Sequence, residues 1–127
     1  MTPDDRKYTK SHEWIKVEDD IAVVGITDHA QEALGDITFV ELPSAGESVE
    51  AGTECAVIES VKAASDILAP VAGEVSEANT TLDDSPEMIN ESVYEDGWIF
   101  KLRNFDEAEV EALLDADQYE ASLEKDD

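Results

Sequence analysis

The sequence predicts a mainly β protein, a sandwich or flattened barrel of short strands, with a short helix near 28–35 and a helical C-terminal tail. Three observations predict it. Runs rich in Val, Ile and aromatic residues recur about every 8 to 12 residues. Glycine, proline and acidic clusters punctuate them. Helix-capping patterns stand out at two places only, Asp28 and Asp106.

The elements follow in order. WIKVEDDIAVVGIT reads as two strands around an acidic turn at Glu18 to Asp20. In TDHAQEALGD, Asp28 is the expected N-cap, Gln31 holds the capping-box position and Gly35 ends the helix. DITFVELP is a strand closed by Pro43, and SAGESVEAGTE, with Gly46 and Gly52, is a turn-rich link to the strand ECAVIES. ASDILAP is a strand ending at Pro70, and VAGEVSEAN supplies another beyond Gly73, itself read as a turn residue. TLDDSPEMINESVYEDG keeps neither period and contains Pro86, so a loop is expected. GWIFKLR is the last strand. Asp106 with Glu109 opens a C-terminal helix carrying Val110, Leu113 and Leu114 on one face; Asp115 interrupts it before a further turn with Tyr119 and Leu123, and the final EKDD should fray. A single domain is expected over 1–127, with its core at about 10–103 and a helical extension at about 106–125.

Composition narrows the setting. The 127 residues carry 33 acids against 8 bases, a formal net charge of −25, with 42% apolar and 6% aromatic residues. The acids are interspersed with regular apolar positions, which favours a folded domain over a disordered tail. Self-repulsion at this charge opposes compaction unless salt screens it. A cytoplasm of very high ionic strength, as in halophilic organisms, is therefore expected; an acidic protein of an ordinary cell is the alternative. Repulsion disfavours nucleic acid and anionic membrane surfaces as partners. No apolar run is long enough for a membrane span and the N-terminus has no leader pattern, so a cytoplasmic protein is expected. Cys55 is the one cysteine; in ECAVIES it reads as a small buried hydrophobe rather than a reactive thiol.

Catalytic equipment is missing from the pattern. Of the two histidines, His12 and His29, neither forms HxH or HxxxH, so no metal site is expected; His12 reads as a partly exposed structural residue. No GxGxxG, GxxxxGK[ST] or GxSxG occurs. Among so many carboxylates no particular pair is informative. No catalytic residue is assigned.

One residue does stand apart. In ESVKAASD (59–66), Lys62 is the only Lys or Arg between Val17 and Phe100, a stretch with 20 Asp and Glu. It lies between two strand-like runs, without the Asn-Gly or Gly-Gly of a tight hairpin turn. Its chemistry alone leaves two readings open: a solvated lysine paired with Glu59 or Asp66, or an amine presented for acylation, which removes the charge and makes the stem a long tether.

SHEW (11–14), GITDHAQEALGDITFVELP (25–43), ESVKAASDILAPVAGEV (59–75), MIN (88–90) and YEDGW (94–98) together resemble the H proteins of the glycine cleavage system, nearly end to end and in order. The resemblance implies a lipoyl/biotinyl-type barrel-sandwich hybrid of two small antiparallel sheets. It implies lipoic acid in amide linkage to Lys62, on a non-catalytic shuttle rather than an enzyme. The implied partners are a pyridoxal-phosphate glycine decarboxylase that loads an aminomethyl group, a tetrahydrofolate-dependent aminomethyltransferase that removes the methylene, dihydrolipoamide dehydrogenase, and a lipoylating enzyme, met by a monomer. By the same resemblance Glu13, Asp66 and Ser11 match a cleft that shelters the loaded arm, and Glu59 a feature read by the lipoylating enzyme. Val93 departs from the usual proline before the tyrosine, and the acidity is not a family trait.

Other carriers fit less well. A biotinyl domain presents its lysine between methionines, whereas Lys62 has Val61 and Ala63. A lipoyl domain of a 2-oxoacid dehydrogenase would be shorter and linker-bound. A lipoyl relay protein, supplying lipoate to other acceptors, shares the scaffold and stays open as the alternative. A Schiff-base lysine would need a desolvated amine, which a tip amid carboxylates does not offer.

Overall fold

In the computed structural model, which describes residues 3–125, the chain pairs its strands into two antiparallel sheets. The larger runs in the order β1 (Lys7–Tyr8), β2 (Glu13–Glu18), β3 (Ile21–Ile26), β9 (Phe100–Arg103), β8 (Gly73–Ala78) and β5 (Ser48–Val49). The smaller is β4 (Ile37–Glu41), β6 (Glu54–Ser60) and β7 (Ala64–Leu68). Five helices accompany them among the described residues: α1 (Asp28–Leu34), α2 (Thr81–Asp84), α3 (Met88–Glu91), α4 (Glu107–Glu111) and α5 (Ala116–Lys125). This is the two-sheet barrel-sandwich expected, with short helices between and after the strands. No described helix is long and apolar enough to cross a membrane.

The sheets face each other through their branched apolar residues. Ile15, Val24 and Ile26 of the larger sheet meet Val40, Ile58 and Ile67 of the smaller in one buried cluster with Val75, Phe100 and Leu102. Alternation explains the choice of face: on β7 Ile67 is buried while its neighbour Asp66 is exposed. Burying each such side chain contributes roughly 1.5–3 kcal/mol.

The aromatic residues, few as they are, build a second cluster. Tyr8, Trp14, Val23, Ala116 and Tyr119 pack together, with the Tyr8 and Tyr119 rings stacked at 5.0 Å. This cluster docks α5 against β1. Trp14 also covers Gly25, its cross-strand partner, so closely that a Cβ there would lie 2.6 Å from the ring. The Arg6 guanidinium lies over the Trp14 ring, 4.7 Å from its centroid, and donates to the Tyr94 carbonyl at 2.9 Å.

Several local expectations change. Thr27, not Asp28, caps α1: its hydroxyl accepts the Ala30 amide at 3.2 Å. Asp28 is instead the first helical residue and accepts from the Gln31 side chain at 2.8 Å, so the expected capping box does not form. The segment 81–91, expected as loop, winds into α2 and α3, single turns that bury Leu82 and Ile89. Tertiary burial of one residue per turn replaces the missing periodicity. The turn-rich link contains β5, and Gly73 belongs to β8, where it pairs with Val49 and lets the Arg103 carbonyl approach; it is not a turn residue. Gly35 ends α1 at φ 79°, as expected. Asp106 caps α4 by accepting the Ala108 amide at 2.9 Å. Asp115 begins α5 in a reciprocal box, taking the Gln118 amide at 2.8 Å while the Gln118 side chain takes the Asp115 amide at 3.0 Å. Of the EKDD expected to fray, Glu124 and Lys125 are instead the last helical residues of α5, and Asp126 and Asp127 lie outside the described residues.

Candidate cofactor-attachment site

Lys62 sits where β6 turns into β7, between the paired Glu59 and Ala64. Ser60 builds the turn. Its amide donates to the Ala63 carbonyl at 2.8 Å, and its hydroxyl accepts the Lys62 and Ala63 amides, both at 3.1 Å, while reaching the Ala63 carbonyl at 3.1 Å. A serine side chain thus does the work that Asn-Gly does elsewhere, a turn chemistry the sequence reading missed although serine is a known turn former. The result is an exposed Lys62 beside an exposed Val61.

The lysine is not held by acids. Among the described residues the ion pairs belong to Arg6, Lys16, Lys101 and Arg103, and neither Glu59 nor Asp66 approaches the Lys62 amine to pairing distance. The reading of a surface lysine paired with those residues is therefore corrected. An exposed lysine at a hairpin tip, in no ion pair among the described residues, fits attachment of a carboxylic-acid cofactor through an amide.

The stem and the turn lean on the end of α1. A Cβ on Gly35 would lie 3.5 Å from Lys62 Cε and 3.7 Å from Cδ. Next to it, the Asp36 carbonyl accepts the Val61 amide at 3.1 Å. Asn90, quoted earlier only as part of MIN, ties this corner to α3.

The residues expected to line a cleft fall into two groups. Ser11 and Glu13 meet directly: Glu13 Oε1 accepts the Ser11 hydroxyl at 2.5 Å and the Thr9 hydroxyl at 2.6 Å. Glu13 Oε2 accepts the Leu68 amide of β7 at 3.3 Å. Glu13 is 1% exposed, and burial holds its carboxyl above the usual range although these three donors pull the other way. Ser11 is exposed at the rim. Asp66 is exposed on β7, two residues before Leu68, and Glu59 is exposed on β6 between Phe39 and Ala64. Thr9 was missed; only its hydroxyl beside SHEW could have flagged it.

Two further titratable groups have partners within the fold. His12, half-buried at φ 73°, places Nδ1 2.7 Å from the Tyr119 hydroxyl, itself 2.7 Å from the Thr27 hydroxyl. Cys55 is half-buried with its thiol 3.4 Å from the Ile67 carbonyl; burial, then the Glu13 and Glu47 charges, push it up to about 12. It is a poor nucleophile there. Among the described residues no three His, Cys, Asp or Glu are grouped to hold a metal ion.

Known proteins carry the same pattern. The family model described as "Glycine cleavage H-protein" matches residues 6–126. The glycine cleavage system H protein of Enterobacter sp. (strain 638) is 61% identical over 123 residues, covering 96% of this chain and 95% of that protein. That of Shewanella denitrificans is 57% identical over 124 residues, covering 97% and 96%. A crystal structure of a glycine cleavage system H protein from Mycobacterium marinum superposes with a TM-score of 0.87 at 40% identity, covering 96% of this chain and 98% of that one. With the fold, the hairpin lysine and near-complete coverage in agreement, this chain belongs to the glycine cleavage H-protein family.

Proposed function

We propose that Lys62 is the acylated residue through which this chain works. As an H protein it is a non-catalytic carrier, with lipoate attached covalently to a lysine, that shuttles the aminomethyl group of glycine within the glycine cleavage system. Bound lipoate supplies a dithiolane that accepts the aminomethyl group and is later reoxidised. The chain's own task is presentation. The observation that carries the assignment is the exposed Lys62, in no ion pair among the described residues, on a turn ordered by Ser60.

We infer a cleft in which Ser11 stands at the mouth and Glu13 lies behind it, with Asp66 on the facing strand. A cationic amine held there gains from a nearby carboxylate, and a desolvated one gains more than a solvated one. The buried position of Glu13 supports a field acting through Ser11 rather than open contact with solvent. Glu59, exposed three residues before Lys62, is offered to the lipoylating enzyme. The partners are a pyridoxal-phosphate glycine decarboxylase, a tetrahydrofolate-dependent aminomethyltransferase and dihydrolipoamide dehydrogenase, met by a monomeric single domain, core 10–103 with helical extension 106–125, in a salt-rich, halophilic cytoplasm.

A reconstituted assay tests the assignment. Lipoylated chain added to the other three components should support glycine-dependent NADH formation, and Lys62→Ala should not. NADH formation by Lys62→Ala at the wild-type rate would overturn it.

A further inference from the structure

Three consecutive backbone positions at the end of α1 are held by two other elements. The Asn90 amide nitrogen donates to the Gly35 carbonyl and to the Gln31 side chain, each at 2.9 Å. Its oxygen accepts the Ile37 amide at 2.9 Å. One side chain on α3 thereby fixes the last carbonyl of the α1 corner and the first amide of β4. Between these two fixed points lies Asp36, whose carbonyl accepts the Val61 amide at 3.1 Å, the residue before Lys62. The Lys62 stem rests over Gly35, the other end of the same bracket.

The lysine turn is also tied within its own hairpin, by Ser60 and by the pairing of Glu59 with Ala64, and across to β4, by the pairing of Ile37 with Ser60 and by the Thr38 hydroxyl donating to the Glu59 carbonyl at 3.2 Å. The turn beyond Ser60 lies outside the strand pairing and can still bend about the long axis of the hairpin. A lateral hydrogen bond from Val61 to a rigid neighbour removes that freedom, and the neighbour is rigid because Asn90 makes it so.

We propose that Asn90 is a positioning residue for Lys62, acting through the Gly35–Asp36–Ile37 bracket to fix where the acylated lysine stands and which way its stem leaves the turn. This rests on Lys62 being the attachment site. The geometry explains why an amide is needed: a carboxylate offers no donor to the Gly35 carbonyl and an apolar residue offers neither bond. A misplacement of about 1 Å at a reacting group can cost up to about a hundredfold in rate, so a bond this close to the tip has leverage.

The test is acylation of the full chain by a lipoate ligase with lipoate and ATP, followed by intact mass, together with amide hydrogen exchange. For Asn90→Ala, kcat/KM for acylation should fall about tenfold, mostly in kcat because the surface the ligase reads is intact. Exchange at the Val61 amide should quicken about tenfold, while the remote Val75 amide, bonded to the Glu47 carbonyl at 2.8 Å, stays protected. Asn90→Asp, which keeps the Ile37 bond, should fall between Ala and wild type and serves if Asn90→Ala fails to fold. Unchanged kcat/KM in both variants, or equal loss of protection at Val61 and Val75, overturns the positioning role. A wild-type chain that takes no lipoate at Lys62 overturns the attachment site itself, a separate failure.

Discussion

Glu13 accepts the Leu68 amide at 3.3 Å, and that bond joins β2 of the larger sheet to β7 of the smaller one. The same carboxylate takes the Thr9 and Ser11 hydroxyls. The residue proposed to stabilise a loaded arm is thus also a seam between the sheets, and the proposed role and the structural one are separable by substitution.

Glu13→Gln should gain on wild type as pH rises. Burial raises the Glu13 carboxyl in the folded protein, so its contribution to stability is full below the unfolded value of about 4.3 and is lost as pH rises through the folded value. The amide has no such loss. Thermal unfolding at pH 4 and pH 8 should show the variant's relative Tm higher at pH 8; a relative Tm that falls with pH contradicts this. In the loaded form, hydrolysis of the aminomethyl adduct should quicken; an unchanged rate removes Glu13 from the cleft.

Ser60→Ala should loosen the lysine turn. The hydroxyl takes two amides that otherwise turn to water, so the loss is about 0.5–1.5 kcal/mol, with Ser60→Thr restoring most of it. Urea unfolding checks the order Ser ≈ Thr > Ala; equal midpoints for all three would show that the turn holds itself.

Gly25→Ala should be among the most damaging single-methyl changes. The added Cβ falls 2.6 Å from a Trp14 ring that is itself buried and bonded to the Val93 carbonyl at 3.1 Å. Overpacking of this kind costs about 1–3 kcal/mol. Denaturant unfolding should show that loss, and a midpoint at the wild-type value would mean the ring shifts freely.

Molar KCl should raise the unfolding temperature markedly. A chain of net charge −25 repels itself, and at about 1 M salt the screening length shrinks to about 3 Å. No rise between low and molar salt would sink the halophilic reading.

What the sequence made legible was governed by local rules. Pro43 and Pro70 sit just beyond β4 and β7, Gly35 ends α1, and Asp106 caps α4, because each acts on its immediate backbone. What it hid depends on distant partners. Thr27 rather than Asp28 caps α1, since the cap is chosen by where the chain leaves β3. The turns at Thr81–Asp84 and Met88–Glu91 form because Leu82 and Ile89 find the core, not because their sequences propagate helix. At the site, Lys62 stood out by its isolation in charge, whereas Ser60, Thr9 and Asn90 are ordinary polar residues whose meaning comes from what they touch. The burial of Glu13 was equally invisible among 33 acids.

The central claim is that Lys62 is retained for its amine. Its most direct test is the intact mass of wild-type chain and Lys62→Ala, each produced with lipoate and a lipoylating enzyme. Wild type should gain the increment of one lipoyl amide and lose it on Lys62→Ala, with the fold intact because the side chain is exposed. A lipoyl increment that survives in Lys62→Ala, or its absence from wild type, would contradict the account.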